Sequence, residues 1–310
     1  KDNQAWWDWY VTLAVNSDRS LKKSLVDLPH PPKTKIPTDK ELESELCSPF
    51  MITKTHISNF KKNGFIKIPN VLSPETLARL RVEIVKLLNK KFKYNIKKKY
   101  PRFLSLEMMW VENSIIRKYV LSSRIAKICA DLLEVKSVRL YHDNALAKEP
   151  GCGRTPWHCD DTHFPLATNK VITAWIPAQA IPTEMGPLAF AKPLNVYKLV
   201  KDIKFNKFNT SYDEQIIESF RSNKVSIEEG PFNLGEISFH HNLCYHTAAR
   251  NNTSTTRIVL ANTFFADGAR VVDKPTMISG DWQKFIPATL PGEIVSSKLN
   301  PVCWPLIEKK

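Results

Sequence analysis

Glycine is scarce in this chain, with nine residues among 310. Loops that cradle phosphate need glycine to bring backbone N–H groups close to the ligand, and neither a dinucleotide-binding pattern nor a P-loop occurs. Nucleotide-dependent chemistry is therefore set aside. The six cysteines (Cys47, Cys129, Cys152, Cys159, Cys244, Cys303) are scattered without a C-x-x-C pair. That spacing carries no zinc or dithiol signature and fits free thiols in a reducing compartment. No stretch approaches the roughly 18 consecutive apolar residues of a membrane span, and Lys1–Tyr10 is tryptophan-rich and polar, unlike a secretory signal. An intracellular, cytoplasmic location is expected. The chain opens on Lys1 rather than methionine, so a trimmed or processed product is expected, with any upstream targeting segment lost.

Acidic residues are also in deficit: 31 Asp and Glu against 45 Lys and Arg give a net charge of +14. Eight basic residues and no acidic one lie between Lys86 and Arg102. Only Phe92, Tyr94 and Tyr100 interleave with them, and no RNA- or DNA-binding motif accompanies them, so a solvated loop is the first reading, with a nucleic-acid substrate or a non-catalytic binding module kept as alternatives.

What is present suits a soluble globular protein, since 43% hydrophobic and 10% aromatic residues can bury a sizeable core. Residues 1–50, with the WWDWY cluster of Trp6, Trp7 and Trp9, read as an extension packing on the core. Residues 51–310 read as a single domain with an insertion near 198–225. Ile57 and Phe60 at helical spacing before Gly64, then Phe65–Ile68 as a strand, open that domain. Ser73 caps and Pro74 starts a second helix whose Leu77, Leu80, Ile84, Leu87 and Leu88 form one apolar stripe. A further helical segment runs from Ser114 to Leu133. Beyond it come short β-rich runs (Ser137–Lys148, Val171–Gln179, Pro187–Phe190, Gly235–Phe239, Arg257–Ala266) broken by proline and glycine. The expected fold is mainly β with flanking α-helices, a jelly roll of antiparallel strands.

The densest polar cluster is Thr155–His163, where His158 and Asp160 share one face of an extended strand. One imidazole and one carboxylate make half a metal site. The histidine-rich segment Phe239–His246 follows another strand and supplies candidates for a third ligand. Two histidines and a carboxylate form the facial triad of non-haem Fe(II) oxygenases, whereas structural zinc prefers four ligands, mostly thiolates. Arg257, eleven residues after His246, opens an apolar run, and a buried guanidinium there requires a carboxylate such as a diacid cosubstrate offers.

Four segments in order, NGFIKIPNVLSPETLARLR, LYHDNALAKEPGCGRTPWHCDD, VITAWIPAQAIPTEMGPLAF and GEISFHHNLCYHTAARN, followed by Arg257, resemble the phytanoyl-CoA dioxygenase family of Fe(II)/2-oxoglutarate oxygenases, over about Thr53–Phe265. The resemblance implies a double-stranded β-helix, with His158, Asp160 and His246 on iron and Arg257 on the distal carboxylate of 2-oxoglutarate. It places Asn144, Trp175 and Thr173 in the cosubstrate pocket, Asn144 donating to the carboxylate beside the keto group. O₂ is the second cosubstrate. Decarboxylation to succinate and CO₂ is implied to drive oxidation of an aliphatic C–H bond in a small, acidic or amphipathic metabolite, by hydroxylation or oxidative cyclisation. An intact Asp160 argues against halogenation, which in such enzymes uses a small residue there. His163, Phe164, Trp110, Tyr141, Phe239 and Tyr245 are candidates for the substrate cavity, and Arg154 for a substrate carboxylate. His240 and His241 are read as surface or packing residues. Two departures stand out: Lys192–Asn195 where the family often has Pro-Gly-Ser-His, and Thr247-Ala248 where a Gly-Ser pair is common.

Overall fold

The computed structural model describes residues 25–29, 34–93, 101–204, 210–276 and 281–305. The WWDWY cluster and residues 94–100 of the basic run lie outside them.

Helices come first because their caps and stripes are locally encoded. In α1 (Asp39–Cys47) the Thr38 hydroxyl accepts from the Glu41 N–H while the Glu41 carboxylate accepts from the Thr38 N–H, a reciprocal cap. This helix, within residues 1–50, buries Leu42 and Leu46 in the main core. Next, α2 (Lys54–Asn63) stops at Gly64, whose φ of +82° suits glycine, and a Cβ there would meet the Leu194 side chain at 2.6 Å. After β1 (Phe65–Ile68), α3 (Pro74–Phe92) starts from the Ser73 cap and buries Leu77, Leu80, Ile84 and Leu88. Then follow β2 (Phe103–Glu107), α4 (Met109–Glu112), α5 (Ser114–Val120) and α6 (Ser123–Leu133). The expected helix from Ser114 to Leu133 is broken in two. Ser122 is a cap at the break, accepting from the Ile125 N–H and donating to the Leu46 carbonyl.

The strands are β3 (Val138–Lys148), β4 (Thr155–His158), β5 (Val171–Pro177), β6 (Leu188–Lys192), β7 (Ser226–Glu229), β8 (Ile237–His241), β9 (His246–Ala248), β10 (Arg257–Ala266) and β11 (Val302–Trp304). Seven form one antiparallel sheet in the order β1-β8-β5-β10-β3-β11, with β2 also paired to β3. The other four form a second sheet, β4-β9-β6-β7. Together they make the double-stranded β-helix with helices on the outer face of the larger sheet.

Alternation assigns the faces. Ile258, Leu260 and Phe264 of β10 join Ala145, Ala147, Ile172, Ala174, Ile176, Ile237 and Phe239 in the core against the helices. Arg257, Val259, Ala261 and Thr263 take the opposite face, toward the second sheet. Phe65 and Phe190 stack across the gap between the sheets, ring centroids 4.2 Å apart. Each such side chain taken from water contributes about 1.5 to 3 kcal/mol. A register shift between Thr263 and Phe264 pairs Thr263 with His142 and Phe264 with Leu140, so Tyr141 bulges out of the ladder. Because of that bulge, Leu140 faces the helices while His142 faces inward with Asn144, Leu146 and Lys148.

Between β6 and β7, where an insertion near 198–225 is expected, lie α7 (Tyr197–Val200) and α8 (Ser211–Ser222). Tyr212, Ile216 and Phe220 pack on Trp157, Ala189 and Tyr245 of the second sheet. At the C-terminal end, the Asn300 amide nitrogen lies 3.0 Å from the Leu140 carbonyl, 3.3 Å from that of Tyr141 and 3.1 Å from that of Phe285. One buried side chain thus ties the final segment to the bulge.

Candidate active site

β4 and β9 lie side by side, with His158 opposite His246 in the register. A short 3₁₀ turn after β4 carries Asp160 back toward the pair. One donor atom from each of His158, Asp160 and His246 lies within 4.8 Å of the others. The His158 Nδ1 faces the Pro156 carbonyl at 2.8 Å and the His246 Nδ1 faces that of Cys244 at 3.0 Å. Those contacts fix both rings with Nε2 aimed at a common point, the arrangement metal-bound histidines use.

The Asp160 carboxylate is held from the other side. Its Oδ2 accepts from the Thr173 hydroxyl at 2.9 Å and stands 3.3 Å from the His240 Nε2, while Oδ1 lies 3.8 Å from the His246 Nε2. Burial alone would raise this carboxyl, but the hydrogen bond from His240 and the charges of His246, His240 and His158 outweigh it, so it sits well below the usual carboxylate range. Burial also lowers His158 and, further, His246, which favours the neutral imidazoles that bind metal. Two neutral nitrogens and one anionic oxygen on one side of a point suit Fe(II), and no thiolate joins them.

Deeper between the sheets, the Arg257 guanidinium lies 5.5 Å from the Trp175 ring centroid and donates through Nη1 to the Gly186 carbonyl. Among the described residues its buried Nε has no partner. Asn144, on the same inner wall, accepts from the Ser105 hydroxyl at 2.9 Å through Oδ1, which leaves its N–H pair for a ligand. Thr173 bonds Asp160 as stated and also meets the Thr263 hydroxyl at 3.1 Å.

The substrate candidates separate. His163, on the turn after Asp160, lies 6.4 Å from His158 between ring centroids. Phe164 stands 4.8 Å from Tyr141 and 6.0 Å from His142, and Phe285 closes the group at 4.7 Å from His142. Four other candidates are corrected. Arg154 is bound by the Asp213 carboxylate and donates to the Thr247 hydroxyl at 3.1 Å, so it is committed to holding strands together. Trp110 packs with Met109 in the core against the helices, under the Arg117 guanidinium 5.6 Å away. Phe239 shares that core. Tyr245 points out of the second sheet toward Phe220 of α8.

Three inward residues lie within the quoted segments but take no site role from the resemblance: His142, Lys148 and His240. Counting by twos along β3 from Asn144 reaches His142 and Lys148, and strand parity was the available clue. His240, read as surface or packing, is 2% exposed and rests on Asp160. Its ring centroid lies 4.5 Å from that of His246.

The phytanoyl-CoA dioxygenase family model matches residues 60–259. The chain belongs to that family, whose members are non-haem iron, 2-oxoglutarate-dependent enzymes. No curated protein matches. Among solved structures, the fold is similar to SnoK, a non-haem α-ketoglutarate-dependent carbocyclase of nogalamycin biosynthesis, at 21% identity and TM-score 0.67 over 82% of this chain and 99% of that one. It is also similar to the epimerase SnoN of the same biosynthesis, at 17% identity and TM-score 0.65 over 83% and 98%. HygX from Streptomyces hygroscopicus, solved with nickel and 2-oxoglutarate bound, aligns at 13% identity and TM-score 0.51 over 70% and 88%.

Proposed function

We propose that this enzyme oxidises an aliphatic C–H bond of a small, amphipathic metabolite, by hydroxylation or oxidative cyclisation, in specialised biosynthesis. The observation that carries the reading is the convergence of His158, Asp160 and His246 within 4.8 Å, with both imidazole Nδ1 atoms already held by carbonyls. When bound there, iron and 2-oxoglutarate would supply the oxidation: 2-oxoglutarate and one atom of O₂ become succinate and CO₂, and the other atom enters the product as a hydroxyl or leaves as water with the two hydrogens lost in cyclisation.

The protein's own residues position and enclose. Thr173 and His240 fix Asp160, so that one carboxylate oxygen points to the metal. Arg257 offers its unpartnered Nε and remaining donors to the distal carboxylate of 2-oxoglutarate, and Trp175 covers its guanidinium face. Asn144 addresses the carboxylate beside the keto group. His142, His163 and Phe164 keep partial exposure close to the iron ligands and form the wall a substrate meets. With Arg154 committed to Asp213, that wall is aromatic rather than cationic, which favours an amphipathic substrate over a strongly acidic one.

Anaerobic titration of the metal-free protein with Fe(II) and 2-oxoglutarate tests this. A weak visible charge-transfer band should appear, vanish in His158→Ala, and require far more 2-oxoglutarate in Arg257→Ala. Folded wild-type protein without the band would overturn the reading in favour of a binding module.

A further inference from the structure

Lys148 closes β3 and Arg257 opens β10, and the two are direct partners across the antiparallel ladder. Residues so paired share a face, with side chains adjacent, and like charges placed this way repel. Both are also withdrawn from water: Lys148 is 0% exposed and Arg257 2%. The Lys148 Nζ donates to the Ala248 carbonyl at 3.1 Å and the Ala249 carbonyl at 2.9 Å, and lies 6.0 Å from the Phe103 ring. Arg257 reaches the Gly186 carbonyl and the Trp175 ring. Among the described residues, neither cation has a carboxylate partner. Carbonyls satisfy hydrogen bonds but do not cancel two buried positive charges, and such a pair is strongly unfavourable without an anion. Donors also remain, because an ammonium has three N–H bonds and the Arg257 Nε is unpartnered.

We propose that Lys148 is a second cation of the cosubstrate pocket, sharing with Arg257 the distal carboxylate of 2-oxoglutarate. This rests on the reading of Arg257 given above and extends it to a residue to which the resemblance gives no role. Lys148 also grips the carbonyls two and three residues beyond His246, so one ammonium touches both the cosubstrate pocket and the strand carrying a metal ligand.

A consequence follows for proton balance. Burial, with Arg257 and Arg154 nearby, pulls Lys148 well below the usual ammonium range, and only the Cys152 thiol opposes them. Before the carboxylate arrives the neutral amine is favoured, and afterwards the ammonium is. Binding of 2-oxoglutarate therefore draws up to about one proton from solvent.

The test is anaerobic calorimetry of the Fe(II)-loaded protein titrated with 2-oxoglutarate at one pH in phosphate, Hepes and Tris. The dependence of the heat on buffer ionisation enthalpy gives the proton number. Net uptake is expected with 2-oxoglutarate and none with 2-oxopentanoate, which keeps the chelating end but lacks the distal carboxylate. Lys148→Met should abolish the uptake and weaken 2-oxoglutarate by about tenfold, with Fe(II) affinity little changed. Wild-type binding of 2-oxoglutarate with no proton uptake, or identical uptake with 2-oxopentanoate, overturns the role of Lys148 even if the variant does not fold. Absence of any 2-oxoglutarate binding removes the cosubstrate reading itself, and this inference with it.

Discussion

Replacing Asp213 by alanine should damage the metal centre from outside it. Asp213 lies on α8 and is 6% exposed. Its Oδ1 accepts from the Trp157 backbone N–H at 2.9 Å, and its Oδ2 accepts from Arg154. Arg154 in turn donates to Thr247, whose hydroxyl donates to the Thr155 carbonyl. One carboxylate therefore joins the residue before His158 to the residue after His246. In Asp213→Ala the buried Trp157 N–H loses its partner, at about 1 to 3 kcal/mol. The ion pair, discounted because the Arg154 side chain is 36% exposed, adds about 1 kcal/mol. Urea denaturation of the metal-free protein should show a loss of about 2 to 4 kcal/mol. Asp213→Asn keeps an acceptor for Trp157 and should lose roughly half as much. Fe(II) competition against a fluorescent chelator should show several-fold weaker binding in the alanine variant. A stability change under about 0.5 kcal/mol, the range of a neutral surface substitution, with unaltered iron affinity, would refute the coupling of α8 to the ligand strands.

Two further outcomes follow from single contacts. Gly186 has a φ of +74°, a Cβ on it would stand 2.2 Å from the Ala249 carbonyl oxygen, and its own carbonyl anchors Arg257. Gly186→Ala should cost about 3 kcal/mol or more and weaken 2-oxoglutarate binding, read by thermal denaturation and the charge-transfer titration. Asp143 is buried and its carboxyl is pushed up to about 7 by desolvation, although the Met109 N–H donates to it at 2.9 Å. Between its ordinary value near 4 and about 7, the unfolded chain holds fewer protons at this position than the folded one, so its contribution to stability falls as pH rises. Asp143→Asn should match wild type near pH 4 and gain on it up to about 4 kcal/mol by pH 8, measured by urea denaturation across pH. A constant difference would count against a protonated Asp143.

The helical half of the molecule was legible because caps and stripes are local: Ser73, Pro74 and Gly64 stand where the chain places them. The break inside 114–133 was missed because Ser122 resembles an ordinary helical serine until its hydroxyl caps Ile125. Strands were found more reliably than their faces. Every residue of β5 is buried, so the sequence Val-Ile-Thr-Ala-Trp-Ile-Pro shows no alternation, although Thr173 and Trp175 face the site while Ile172 and Ile176 face the helices. The donors His158, Asp160 and His246 stood out through spacing and resemblance. The residues around them did not, because their roles depend on cross-strand neighbours. Arg154 reads as a substrate cation until Asp213, 59 positions away, is seen to claim it. Leu140 shares the parity of His142 and would read as inward too, until the bulge at Tyr141 turns it to the helices.

The Asn300 amide has a consequence of a different kind. It fastens the Phe285 carbonyl to the bulged turn of β3, and the Phe285 ring in turn packs at a tilt against His142. Both Phe285 and Asn300 lie beyond the stretch matched by the family model, which ends at residue 259. The proposed substrate wall thus draws His142, His163 and Phe164 from the matched stretch and its Phe285 neighbour from beyond it. Substitution at Phe285 or Asn300 should therefore move that wall while His158 and His246, on β4 and β9, stay as they are. Exchanging the stretch that carries Phe285 and Asn300 among relatives offers a route to new substrates on an unchanged catalyst.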